Sequence, residues 1–231
     1  MAALASEAGM SPDMTILTDA ARGVLMGYST AYPQPLYLAW RAGLVVQLLH
    51  PSVAEVTTLL QTLIPRVMQR DGGGGSSVVV LAPQAVAEAL RYLPQVLLVD
   101  LAAVPAEAEA LETVLVGRGT VVIALPTGVT TMQVMRLVWP WLTTVLGRML
   151  TPPYLVTWDD PAPLTIARAT AQLAIHTRPS PPIIGAHATL VADGDGWLLT
   201  VVGERHPLRL RLAAPALVPL PTTTSVRSRR R

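Results

Sequence analysis

Three short apolar runs, at 78–82 (VVVLA), 96–101 (VLLVDL) and 120–125 (TVVIAL), limit what this chain can fold into more than any other feature. They are nearly continuous in apolar residues, whereas a strand with one wet face alternates apolar and polar side chains. Continuous runs belong to strands buried on both faces. Helical patterns fill the gaps. Pro83 stands where a first helical turn tolerates proline, and 85–92 continue from it. Pro105 opens a second helix, with Glu107, Glu109 and Glu112 near its positive N-terminal end and Leu111, Val114 and Leu115 turned inward. Gly117 and Gly119 stop it. Strands spaced about 20 to 25 residues apart, with helices between them, fit right-handed crossovers into one parallel sheet.

The flanking sequence extends this reading. Pro51 and Ser52 start a helix in which Val53, Val56, Leu59, Leu60, Leu63 and Val67 recur at helical spacing, ending near Arg70. A flexible DGGGGSS connection at 71–77 delivers the first buried strand. Upstream, Thr18 or Asp19 caps a short helix running to about Tyr28. The runs at 36–40 and 44–49 read as strands, separated by Arg41, Ala42 and Gly43, with a hairpin possible between them. Downstream, a helix is expected over about 130–150, kinked at Pro140, then a strand at 154–158 and a helix at 163–175. RPSPP at 178–182 marks a boundary, after which 186–191, the turn DGDG at 193–196, and 197–202 form a β-hairpin, with a third strand at 208–212.

The expected fold is therefore α/β: an open, mainly parallel sheet of the flavodoxin- or Rossmann-like kind with helices on both faces, plus a small C-terminal antiparallel β appendage. The expected organisation is a mobile arm at 1–13, an α/β domain at 14–177, a β-hairpin appendage at 183–213 and a disordered Pro/Thr/Arg tail at 214–231.

Apolar types make up 51% of the chain and charged types 14%, which excludes disorder throughout. The net charge of +2 is uneven: Arg227, Arg229, Arg230 and Arg231 close the chain, and elsewhere 13 arginines face 15 acids. The basic balance reports a tail, and those four arginines suggest nucleic acid only weakly. Lysine, phenylalanine, asparagine and cysteine are absent. The first three share AT-rich codons, so a GC-rich genome accounts for their loss, with selection against lysine as the alternative. Without cysteine there is no disulfide framework, thiolate catalysis or Cys-ligated zinc. Residues 1–13 carry no basic, apolar leader pattern, and 134–150, the most membrane-like stretch, is interrupted by Arg136, Pro140 and Arg148. A cytoplasmic chain with no transmembrane segment is the expectation.

Chemistry is harder to find. The glycines at 72–75 precede a strand, whereas a phosphate loop follows a strand and opens a helix, and no lysine is present to serve such a loop. PTGVTT at 126–131 does follow a strand and open a helix. Free amides there, with the hydroxyls of Thr127, Thr130 and Thr131 and the close approach that Gly128 permits, suit a phosphate; ordinary threonine capping of a tight turn accounts for the same residues. Asp100 ends a neighbouring strand, and ligands of open α/β sheets sit beyond such ends. Asp100, Thr127, Gly128, Thr130 and Thr131 are thus the candidate cofactor-binding residues, with flavin or nucleotide as the candidate cofactor. No metal site is expected: His50, His176, His187 and His206 are scattered, and DGDG lacks the further ligands of a calcium loop. His187 and His206 are expected to face solvent on the small sheet. Asp159 and Asp160 read as helix caps, and no GxSxG elbow occurs.

The stretch 115–132, LVGRGTVVIALPTGVTTM, resembles the flavin-binding cysteine-decarboxylase-type flavoproteins, in which a glycine-terminated helix feeds a strand and then a motif of Pro, Ala, Met, Asn, two variable residues and Met. Pro126 and Met132 match that motif, while Thr127, Gly128 and Val129 stand where the family has Ala, Met and Asn. The resemblance implies a flavodoxin-like fold with lost or altered activity, and its non-enzymatic relatives keep an accessory role in view. No catalytic constellation is identified in the chain. Two functions follow: a non-catalytic interaction or assembly protein, with Trp139 and Trp141 serving the core, a protein partner or a homo-oligomer, or a flavin- or nucleotide-binding enzyme using the strand ends near Asp100 and Thr127.

Overall fold

The structure is a computed structural model that describes residues 17–18, 23–30, 34–39, 44–49, 51–69, 76–158, 172–177, 186–194, 196–202 and 206–212. The expected arm at 1–13, the glycines at 72–75, His50, Asp159, Asp160 and the tail at 214–231 lie outside the described residues. In chain order the elements are β1 (Leu17–Thr18), β2 (Gly23–Ser29), β3 (Pro35–Ala39), β4 (Val45–Leu49), α1 (Val53–Gln69), β5 (Val78–Pro83), α2 (Gln84–Leu90), β6 (Val96–Asp100), α3 (Ala108–Val116), β7 (Thr120–Leu125), α4 (Thr131–Leu137), α5 (Trp139–Arg148), β8 (Tyr154–Trp158), β9 (Gln172–His176), β10 (Ala188–Asp193), β11 (Gly196–Val201) and β12 (Leu208–Leu212).

All of these strands join one sheet, in the order β1-β3-β2-β12-β11-β10-β4-β9-β8-β5-β7-β6. From β10 to β6 the pairings are parallel, and from β1 to β10 they are antiparallel. Chain handedness explains where the helices lie. A strand-to-strand crossover in a parallel sheet is right-handed, so crossovers running in opposite directions along the sheet fall on opposite faces. From β4 through β5 to β6 the chain steps toward one edge, with α1 and α2 on one face. At β6 it turns back to β7 and then β8, with α3, α4 and α5 on the other.

The alternation of side chains along β5, β7 and β8 divides the core accordingly. Val78, Val80, Val122 and Val156 pack against Leu60, Leu63, Val86 and Leu90, while Val79, Val121, Ile123 and Leu155 pack against Leu111, Leu115, Leu142 and Val145. Every residue of β7 is buried, as is all of β5 except its final proline. This is the arrangement that the continuous apolar runs require.

Local chemistry fixes the helix ends. A capping box starts α1: the Ser52 N–H donates to Glu55 Oε2 (2.7 Å) and the Glu55 N–H donates to Ser52 Oγ (3.2 Å). Pro65 is buried inside this helix. At the end of α3 the left-handed residue is Arg118 (φ 63°), between the two glycines. The Gly119 N–H donates to the Val114 carbonyl (2.8 Å) and the Arg118 N–H to that of Leu115 (3.0 Å), a Schellman closure. Gly119 is needed for space: a Cβ there would lie 2.6 Å from Val114 Cγ1 and 2.8 Å from the Gln95 carbonyl oxygen.

Four expectations are corrected. Residues 23–29, expected to be helical, form β2, held between β3 and β12 with a register shift between Leu25 and Gly27. The end of the expected helix at 163–175 is instead β9, inserted between β4 and β8. The strands β3 and β4 do not form a hairpin; β3 pairs with β1 and β2, and β4 with β9 and β10. In each case pairing with strands distant in sequence overrides a local pattern. The expected kinked helix is two helices, broken at Val138, with Pro140 in the first turn of α5, where no intrahelical donor is lost. The antiparallel strands expected at the C-terminus are present as β10, β11 and β12, and β10 also runs parallel beside β4, so they continue the main sheet.

Two glycine substitutions are expected to move stability in opposite directions. Gly119→Ala must displace Val114 or the β6 approach and should destabilise by about 1–3 kcal/mol. Gly147→Ala, inside α5 with nothing within 4 Å of the new Cβ, should stabilise by about 0.5–1 kcal/mol. Urea unfolding followed by circular dichroism measures both.

Candidate functional site

The loops that leave β5, β6 and β7 bring the sequence candidates to one end of the sheet. Pro83 lies opposite Leu125, and Ala124 pairs with both Ala82 and Asp100. The chain leaves β5 for α2 on one face and leaves the adjacent β7 for α4 on the other. Such divergence opens a crevice between neighbouring strands, the place where ligands settle in open α/β sheets. The predicted position is therefore a topological switch point, with exposed Gln84, Asp100, Thr127, Gly128, Thr130 and Thr131 around it.

The polar groups of this end are largely bonded among themselves. The Val129 N–H donates to the Pro126 carbonyl (3.2 Å), closing a turn whose third residue, Gly128, has φ +78°. The Thr130 hydroxyl accepts from the Gln133 N–H (3.3 Å) and donates to Gln133 Oε1 (3.0 Å), and the Thr130 N–H donates to the same oxygen (2.9 Å). This capping box satisfies donors that an anion would otherwise take. Asp100 is exposed and makes no capping hydrogen bond to the short 3₁₀ turn Leu101–Ala103 that follows it. Met132 and Gln84, the side chains best placed in sequence to fill the crevice, are both exposed.

His187 and the DGDG turn have structural roles. His187 is half-buried: its Nδ1 accepts from the Val45 N–H (3.2 Å) and its backbone N–H donates to the Val45 carbonyl (2.8 Å), fastening the start of β10 to β4. His176 is buried in β9, and His206 is exposed. Arg209 Nη2 bonds Asp193 through both the carboxylate (3.3 Å) and the backbone carbonyl (3.2 Å) at the β10–β11 turn. Among the described residues no group of three or more His, Cys, Asp or Glu side chains is placed to hold a metal ion. Trp141 is buried in the core layer shared with α3, and Trp139 is half-buried against the same cluster.

A groove of about 880 Å³ runs along the outer helix layer, between α3 and the α4–α5 pair. Glu109 and Glu112 line it from α3, Arg136 and Arg148 from α4 and α5, and Leu137 and Trp141 lie among them. Arg148 bridges it to Glu112 at 3.2 Å. Its residues come from three helices that the sequence does not place side by side.

No family model matches the chain, and no curated protein matches it. Among solved structures, a chain described as an ATPase is similar at a TM-score of 0.42 and 16% identity, over 83% of this chain and 87% of that one. Among the described residues no helix is long and apolar enough to cross a membrane.

The capping box gives a direct test of what Thr130 does. Thr130→Ala should cost about 1 kcal/mol through loss of the α4 cap, whereas Thr127→Ala, exposed and outside that network, should be near neutral. Denaturant midpoints of the two variants check this.

Proposed function

We propose that this chain is a non-catalytic interaction or assembly protein on an α/β scaffold, taking a protein partner or a second copy of itself. The groove between α3 and the α4–α5 pair carries this reading. It combines opposed charges on its two walls, Glu109 and Glu112 against Arg136 and Arg148, with apolar surface between them. Protein surfaces are commonly recognised by an apolar centre with complementary charge around it. The self-capped start of α4 adds support, because its hydroxyl and amide are engaged without a ligand.

A second reading is a flavin- or nucleotide-binding enzyme whose site lies at the β5–β7 switch point, using Asp100, Thr127, Gly128, Thr130 and Thr131. The divergence of the β5 and β7 loops favours it, as does the resemblance at 115–132.

The two readings separate on the purified chain. Near-ultraviolet and visible absorbance, with mass spectrometry of whatever denaturation releases, should find no stoichiometric small molecule. A photo-reactive residue replacing exposed Val116, on the groove wall, should form a protein adduct in the native host that Arg136→Glu diminishes. Stoichiometric flavin or nucleotide, reduced in Asp100→Ala and Thr127→Ala, would replace the first reading with the second.

A further inference from the structure

β6 is the strand at which the chain reverses direction, and it is therefore left at the edge of the sheet with β7 as its single strand neighbour among the described residues. The Thr120 N–H donates to the Gln95 carbonyl (2.8 Å), and Val96 pairs with Thr120. In a parallel ladder this fixes the alternation: the backbone groups of Leu97 and Val99 turn toward β7, while the N–H and C=O of Val96, Leu98 and Asp100 turn outward. Those outward groups have no partner in the β6–β7 ladder.

An edge of this kind is ordinarily blunted by lysine, proline, a bulge or extreme shortness. β6 carries none of these. Its sequence is VLLVD, its ladder to β7 runs without a register shift, and Val96, Leu97 and Leu98 are all half-buried rather than covered. Val96 and Leu98 lean toward the α1–α2 side of the core, and Leu97 toward the α3 side, so apolar surface flanks the edge on both faces.

We propose that β6 pairs antiparallel with β6 of a second copy, about a twofold axis at Leu98, so that one sheet runs through both chains. This names the partner within the assembly reading above and rests on it. The strand is self-complementary in that register. Leu98 meets Leu98, Leu97 meets Val99, and Val96 meets Asp100, so every outward backbone group finds a partner and apolar side chains pair on both faces. The two Asp100 carboxylates stay roughly 14 Å apart at 3.4 Å per residue. Moving the axis to Asp100 would set the two carboxylates directly opposite each other, and moving it to Leu97 would bring Pro94, which has no N–H, into the ladder. The isologous geometry also closes, leaving no free β6 edge for further growth.

The test uses the full-length chain. Light scattering over a range of concentrations should give twice the chain mass of 24.6 kDa. Amide exchange resolved by residue should show Val96, Leu98 and Asp100 slowing as the dimer forms. Leu98→Lys, which places two ammonium groups across the axis, should return the mass to that of one chain. Should that variant fail to fold, amide exchange in the unsubstituted protein still decides the matter. A dimer with fast exchange at those three amides, a monomer at all concentrations, or a monomer in which they are already protected by the chain itself would each overturn the pairing. A released flavin or nucleotide would overturn the non-catalytic reading instead, and leaves the exchange result to judge β6 independently.

Discussion

Burial of the β5–β7 pair under helices on both faces is the constraint from which the rest of the structure follows. Each strand presents apolar side chains in both directions, so neither can sit on a sheet with a wet side. Both faces need a helix layer, and right-handed crossovers supply two layers only if the chain runs out along the sheet and then returns. β6 is the turning point. The same path that buries β5 and β7 leaves β6 with one strand neighbour among the described residues, makes adjacent loops diverge at the β5–β7 ends, and lays α3 beside α4 and α5 so that a groove forms between them. Core, crevice, groove and open edge are thus products of one topological choice.

The sheet has a second character beyond β4. From β10 outward it becomes antiparallel, and its strands alternate in burial, as in β10, where Ala188 and Leu190 are buried and Thr189 and Val191 less so. His187 stitches the two parts together by exchanging bonds with the backbone of Val45. α1 also reaches across: Arg66 lies near Tyr28 and Tyr37, and partial burial lowers its pKa while the two phenols act in the opposite direction.

What the sequence disclosed was what depends on neighbours in the chain. Continuous apolar runs, the 3.6-residue stripe of α1 and the glycines after α3 all act locally, and β5, β7 and α1 lie where the pattern places them; Pro83 instead ends β5, Pro105 lies ahead of α3, and the third run, β6, is mostly half-buried rather than covered on both faces. The local pattern at β2 and β9 reads as helical because these strands owe their conformation to pairing partners that include β12 and β4, far from them in sequence. At the end of α3 the glycines were recognised, but the left-handed residue between them is Arg118, since Gly119 is demanded by the Gln95 approach and not by its own dihedral angle. That Asp100 and the PTGVTT turn share one end of the sheet is legible, because each terminates a strand visible in the pattern. The use of its groups is not, since whether Thr130 bonds Gln133 or an anion depends on geometry that both readings share. The groove was invisible for a different reason: three helices had to be set side by side first.

Cover on both faces should make the β5–β7 pair the most stable part of the molecule, with the antiparallel flank secondary to it. Native-state amide exchange across the whole chain measures this directly. The account predicts that the amides of Val79, Val80, Leu81, Val121, Val122 and Ile123 exchange slowest, and only with global unfolding. Exchange in these strands as fast as in β2 and β12, or slowest protection centred on the antiparallel flank, would contradict it.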